Sequence, residues 1–407
     1  MTRNEIRSRV IDLALHHDNI ALQYCTGLGK SYLSLNAIME WEILLGYKPK
    51  VLLLIAEKAH KKNWKEEFIK WEFDSSNFTI ECYASLKKYS NTEWDVIIAD
   101  EAHRAGSDIR LDLFNTIKTK KLILLSATLP DLILENLSNI YGKIKTDKID
   151  LNQAIEWEIL PKPTIYLIPL DLKTDTPSEI IIEERGKAAL RKTIKCNLQD
   201  RWTYLKNKTA YPNLRLEIQC TEKEKYDYLT QSSEYWKQQF FKDRQERTKI
   251  KWLQIGAQRK RFLGECKSHY ANQLCRKLDG KYRYICFCSS ISQAEYLGSN
   301  NAIHSKNSSS LATIDKFNTK KINSLFAVSM AQEGLNLVVI EAGIIVQLDG
   351  YERSTWQRLG RVFRAKEPIQ FIFYYKNTKD EDYLKNVTES INEEYVIKVD
   401  NLLKLKL

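Results

Sequence analysis

Tyr24-Cys25-Thr26-Gly27-Leu28-Gly29-Lys30-Ser31 is the stretch that decides how this chain of 407 residues is read. A short apolar run, Ile20-Ala21-Leu22, precedes it, and a helix-like pattern from Tyr32 to Ile38 follows. A strand, a glycine turn and a helix in that order make an anion cradle. N–H groups at the helix start point at phosphates, and the helix dipole adds partial positive charge. Gly27 and Gly29 let the backbone approach without a Cβ in the way. In such a cradle Thr26, Gly27, Leu28 and Gly29 wrap a phosphate chain, and Lys30 reaches the β- and γ-phosphates of ATP. The Ser31 hydroxyl then binds Mg²⁺. The pattern departs from the general phosphate loop at Tyr24, which stands where the first glycine is expected.

Composition frames that reading. With 43% hydrophobic and 28% charged residues the chain is of the water-soluble globular kind, and its length suits two domains. The formal charge of +11 and a pI near 9.0 favour a polyanionic partner. The longest apolar run, Val51–Ala56, falls far short of the roughly 20 residues that span a bilayer. No apolar signal core follows the charged N-terminus, so no membrane role is expected. The eight cysteines form no Cys-x-x-Cys pair and have no histidines at ligand spacing, which disfavours a zinc site or a disulfide framework.

Further along, Trp94–Ala99 is an apolar strand that ends in Asp100-Glu101-Ala102-His103. Carboxylates at the carboxyl edge of an open α/β sheet lie where its ligands bind. Asp100 suits the Mg²⁺ shell, and Glu101 suits orienting and deprotonating an attacking water. His103 suits coupling the nucleotide site to the other domain. A second buried strand, Leu122–Leu125, ends in Ser126-Ala127-Thr128. Between them, Asn63–Trp71 reads as an amphipathic helix with Trp64, Phe68 and Trp71 facing the sheet as core aromatics. No glutamine precedes Gln23, so no base-recognition residue is assigned.

The order of phosphate loop, Asp-Glu-Ala-His and Ser-Ala-Thr resembles the first motor domain of superfamily 2 helicases and translocases, of the DEAH-box-containing kind. The resemblance implies a RecA-like fold for residues 1–150, and it implies that Ser126 and Thr128 link hydrolysis to nucleic-acid binding. In the second half, Ser329–Leu337 is similar to the family's fifth motif, which implies a backbone contact from Ser329 and a nucleotide contact from Gly334. Asn336 is closer there to Swi/Snf-type translocases. Gln357-Arg358-Leu359-Gly360-Arg361-Val362-Phe363-Arg364 is similar to the sixth motif, Gln-x-x-Gly-Arg-x-x-Arg. On a helix Gln357, Arg361 and Arg364 share one face. Two guanidiniums that reach across a cleft neutralise charge building on the γ-phosphate.

Between the halves, residues 178–280 carry 23 Lys and Arg against 13 Asp and Glu, nearly the whole excess of the chain. Their pattern reads as mostly helical, punctuated by aromatics. A basic, aromatic-bearing insertion suits an electrostatic track for a phosphate backbone, with Arg259, Lys260 and Arg261 as the leading contacts.

The expectation is an α/β protein with two RecA-like parallel-sheet domains in tandem and a mostly helical basic insertion. Residues 1–150 form the ATP-binding domain and 151–177 the linker and first strand of the second. Residues 178–280 form the insertion, and 281–407 the remainder of the second domain. The expected activity is that of a DNA helicase or translocase that couples Mg-ATP hydrolysis between the halves to movement. An RNA helicase, or an ATPase clamp triggered by nucleic acid that does not unwind, are the alternatives. DNA is the expected partner with RNA second, alongside replication or recombination proteins, for a monomer. Its compact size resembles phage-encoded or small bacterial motors, which places it in the cytoplasm, the host's if phage-encoded.

Overall fold

The computed structural model describes residues 1–328, 337–348, 360, 362, 365–389, 391–400, 402, 405 and 407. The first half alternates in chain order. Helix α1 (Arg3–His16) is started by a capping box between Thr2 and Glu5. It leads into β1 (Asn19–Tyr24), α2 (Lys30–Leu45), β2 (Val51–Ile55), α3 (Lys58–Lys70), β3 (Phe78–Cys82) and β4 (Glu93–Asp100). Helix α4 (Asp108–Asn115), β5 (Lys118–Ser126), α5 (Asp131–Tyr141) and β6 (Lys145–Ile149) complete it. The six strands form one parallel sheet in the order β3-β2-β4-β5-β1-β6. Every residue of β2, Val-Leu-Leu-Leu-Ile, is fully buried, as a parallel strand covered on both faces requires. The carboxyl ends of β1 and β4 sit on the same edge, so the phosphate loop and Asp100-Glu101 open onto one side of the sheet.

A short helix, α6 (Leu151–Glu156), begins the crossover with Asp150 and Gln153 as its capping box. It leads to β7 (Thr164–Leu170), which pairs in the second sheet. The chain then leaves that sheet for about a hundred residues. Strands β8 (Glu179–Arg185) and β9 (Lys192–Asn197), helix α7 (Arg201–Lys206) and strand β10 (Leu214–Cys220) form a small three-stranded unit in the order β8-β10-β9. The inserted segment is thus mostly helical, with a small sheet and one short helix in its first part. Leu214, Leu216 and Ile218 alternate with Arg215 and Glu217, and that period of two buries one face of β10. Helices α8 (Glu222–Asp243), α9 (Glu246–Cys266) and α10 (Ser268–Leu278) follow.

The return supplies β11 (Tyr284–Phe287), α11 (Ile291–Gly298), β12 (Ala302–Ile303), α12 (Ser310–Asn318), β13 (Ser324–Ala327), β14 (Ala342–Ile345), β15 (Ile369–Tyr375), α13 (Lys379–Thr388) and β16 (Val396–Lys398). With β7 they make a seven-stranded parallel sheet in the order β12-β13-β11-β14-β15-β7-β16. Two parallel α/β sheets in tandem are thus what the alternation of apolar runs implied. Among the described residues, no helix is long and apolar enough to cross a membrane.

Candidate active site

Tyr24 explains the departure from the usual phosphate loop. It is the last residue of β1, fully buried, and its hydroxyl donates to Asp147 Oδ2 of β6 at 2.6 Å. Arg9 pairs with the same carboxylate, so a buried charge is satisfied from both sides. The loop proper starts one residue later. Gly27 and Gly29 take φ of 98° and 80°, a left-handed region that side chains resist. Gly29 is the N-cap of α2 and supplies no side-chain cap, which leaves the first N–H groups of the helix facing the loop. The Lys30 ammonium donates to the Tyr24 carbonyl at 2.8 Å, folded back over the loop.

Across the cleft, β4 ends in Asp100. Its Oδ2 accepts from the Trp64 indole at 2.9 Å, and its Oδ1 accepts from the Glu101 N–H at 3.0 Å. The Tyr83 hydroxyl donates to its carbonyl at 2.9 Å. A carboxylate has about four acceptor sites, so these two bonds fix its direction and leave capacity for a metal ion. Glu101 adopts φ 49°, ψ 51°, a left-handed conformation that costs a non-glycine residue about 1–3 kcal/mol.

His103 is buried and stands between two acceptors, with Nδ1 3.3 Å from Glu101 Oε2 and 3.3 Å from Ser126 Oγ. Ser126 gives its own hydroxyl proton to the Thr128 carbonyl at 2.6 Å. Ser126 must then accept from His103, which places a proton on Nδ1 aimed at Ser126 Oγ, with Glu101 Oε2 beside it. The three coupling residues expected from sequence are therefore joined in one chain of contacts that begins at Glu101.

These groups line one cleft of about 730 Å³, which holds Thr26, Gly27, Leu28, Gly29, Lys30 and Ser31 together with Asp100 and Glu101. The fit to a Mg-nucleotide is good on the donor set alone, with glycine backbone for phosphates and one hydroxyl and one fixed carboxylate for the ion. Among the described residues no cluster of three or more His, Cys, Asp or Glu side chains is arranged to hold a metal by itself. The rest of the cleft was not assigned from sequence. It includes Arg3 and Ile6 of α1, Tyr32 of α2, side chains of α3, and Trp71. The Tyr32 and Trp71 rings lie 4.1 Å apart at 36°. Trp64 and Phe68 are buried as expected, although Trp64 also lines the cleft, whereas Trp71 follows the last turn of α3, is 40% exposed and lines the cleft too. Its place just past the helix end is the signal that could have separated it from the other two.

The second half reaches the same place. Gly360 is buried against Thr26, and a Cβ built on it would stand 2.5 Å from the Thr26 Cβ. Leu160 of the crossover lies over Gly27, 3.1 Å from where its Cβ would be. Ser329, Gly334, Gln357, Arg361 and Arg364 lie outside the described residues. In the insertion, Arg259 departs from its expected exposure. It is only 7% exposed, Lys260 is half-buried and Arg261 is exposed. Successive helical positions turn by about 100°, so three in a row cannot share one face.

Residues 267–366 match the family described as helicase conserved C-terminal domain. Among solved structures, the chain is similar to the Pyrococcus furiosus Hef helicase domain, at 15% identity and a TM-score of 0.48. That match covers 94% of this chain and 96% of the other. No curated protein matches it by sequence.

Proposed function

We propose that the protein is an ATP-driven DNA helicase or translocase whose two parallel-sheet domains open and close on Mg-ATP. The observation that carries this reading is the single cleft in which the phosphate loop faces Asp100 and Glu101 while Gly360 of the second half rests on Thr26. The helicase C-terminal match over residues 267–366 supports it. Backbone N–H groups from Thr26 to Ser31 hold the phosphates, and Lys30 exchanges the Tyr24 carbonyl for a phosphate oxygen. Ser31 and Asp100 hold the ion, which neutralises phosphate charge when bound. Glu101 accepts the proton of the attacking water, with His103 Nδ1 3.3 Å from its Oε2.

Arg361 and Arg364 follow Gly360 by one and four residues, and we assign them to the γ-phosphate. Hydrolysis then needs both halves, and loss of the γ-phosphate releases the grip between them. Through His103, Ser126 and Thr128, the state of Glu101 is felt at the carboxyl end of β5. The Tyr32 and Trp71 pair supplies an aromatic surface of the cleft for the base. The excess of ten positive charges in residues 178–280 favours a nucleic-acid track.

The test is strand displacement from a tailed DNA duplex, run beside displacement of a third strand from triplex DNA. Both need ATP and both fail with a non-hydrolysable analogue. Triplex displacement without unwinding names a translocase, unwinding names a helicase, and neither on DNA or RNA rejects the motor.

A further inference from the structure

Helices α8 and α9 form a hairpin whose two ends have different surroundings. At its base Tyr226, Leu229, Ile255, Phe262 and Leu263 are buried in the core of the second sheet. Gly264 packs so closely that a Cβ there would stand 2.4 Å from Ser289 Cβ, just past β11. The Tyr226 hydroxyl accepts from the Lys379 N–H at 2.9 Å, and Lys267 forms a buried ion pair with Asp380 at 2.6 Å. Close packing and these bonds make the hairpin one body with the second domain.

Beyond Ser233 on α8 and before Ile255 on α9, Thr248 alone is buried. The turn is held by its own side chains. Asp243 accepts from the Gln245 N–H at 2.9 Å and from the Thr248 hydroxyl at 2.7 Å, which holds its carboxyl below the usual range. Over this turn stand three aromatic rings. Phe240 stacks with Trp252 at 6.0 Å, Phe241 lies 6.3 Å from Trp252, and the Arg244 guanidinium sits 4.8 Å from the Phe241 ring centre. Phe241 is 50% exposed. Residues 242–251 carry five Lys or Arg and two acids, and both acids are engaged, Asp243 in the turn and Glu246 3.5 Å from Lys249. Aromatic faces inside a cationic rim match bases inside a phosphate backbone.

We propose that this tip engages nucleic acid. Phe241 and Trp252 stack on a base exposed at a duplex end or along a single strand, while Lys242, Arg244 and Arg247 hold the flanking phosphates. The proposal rests on the motor reading and names a grip belonging to the second domain. Because the base of the hairpin is fixed to that domain, closure of the cleft carries the tip along the strand and makes it a wedge at the junction.

The test uses the full chain and a forked DNA with a fluorescent base analogue at the junction. Binding is expected to quench both the analogue and the tryptophan emission, in a manner that needs Trp252. Phe241→Ala removes a half-exposed ring without opening the core and is expected to weaken fork binding about five-fold or more, with loss of the analogue's response. Arg244→Glu with Arg247→Glu is expected to weaken binding and flatten its salt dependence. Tight fork binding by the unaltered chain, with affinity and response unchanged in both variants, would overturn the tip assignment and leave the motor reading standing. Failure of the unaltered chain to bind any nucleic acid would overturn both.

Discussion

The backbone of Gly360 lies directly on Thr26, so that a Cβ at residue 360 would be 2.5 Å from the Thr26 Cβ and 2.8 Å from its Cγ2. Thr26 belongs to the phosphate loop between β1 and α2, and Gly360 to the chain that runs from β14 to β15. A residue from the second half thus takes part in shaping the glycine loop of the first half. The contact leaves no room for a side chain.

Gly360→Ala should therefore act on turnover more than on binding. The added methyl pushes Thr26 or the 360 segment away, and misplacement of about 1 Å near reacting groups costs on the order of a hundred-fold in rate. Steady-state hydrolysis is expected to fall at least ten-fold, with affinity for a fluorescent ATP analogue changed only a few-fold. Equal loss of both would mean that the contact only holds the loop together.

Trp71→Ala tests the base wall. Loss of a stacking ring costs roughly 1–3 kcal/mol, so KM for ATP is expected to rise about five-fold or more while kcat holds. Trp71→Phe should restore most of it. Unchanged KM would place the base elsewhere in the cleft.

His103→Ala tests the link between Glu101 and Ser126. Without the Nδ1–H the two residues lose their common partner. Basal hydrolysis is expected to drop a few-fold, and stimulation by nucleic acid to disappear. Stimulation equal to that of the unaltered chain would assign His103 to packing alone.

Much of this was legible in the sequence, because the strands that decide the fold are buried on both faces. Val51–Ile55 and Leu122–Leu125 are unbroken apolar runs, and the second ends where Ser126-Ala127-Thr128 begins. Strand β6 was not legible. Lys-Thr-Asp-Lys-Ile is polar and sits at the sheet edge, and Asp147 becomes interpretable only beside Tyr24 and Arg9. Strand β10 has a clear period of two, yet the density of charge around it hid it in a helical reading. Trp71 and Arg259 were misplaced for one reason. Helical spacing gives a residue's direction on an element but says nothing of where the element ends or what lies against it.

Cys25 gives a prediction in pH. Burial pushes its thiol up to about 12, although Lys30 acts in the other direction. The thiolate is the reactive form, so alkylation at pH 8 should be slow in the folded chain and fast after denaturation, as peptide mass mapping would show. The folded thiol holds its proton above the ordinary value of 9.0. Its contribution to stability is thus fully present below pH 9 and lost as pH rises from there toward 12. Rapid labelling of native Cys25 at pH 8 would contradict this burial.

The most direct test of the central claim is steady-state ATP hydrolysis with Mg²⁺, measured without nucleic acid and with single-stranded DNA, duplex DNA and RNA, for the chain and for Glu101→Gln. The predicted result is hydrolysis that rises severalfold with DNA and falls by about two orders of magnitude or more in Glu101→Gln, while ATP still binds. Hydrolysis that ignores every nucleic acid and survives Glu101→Gln would contradict it.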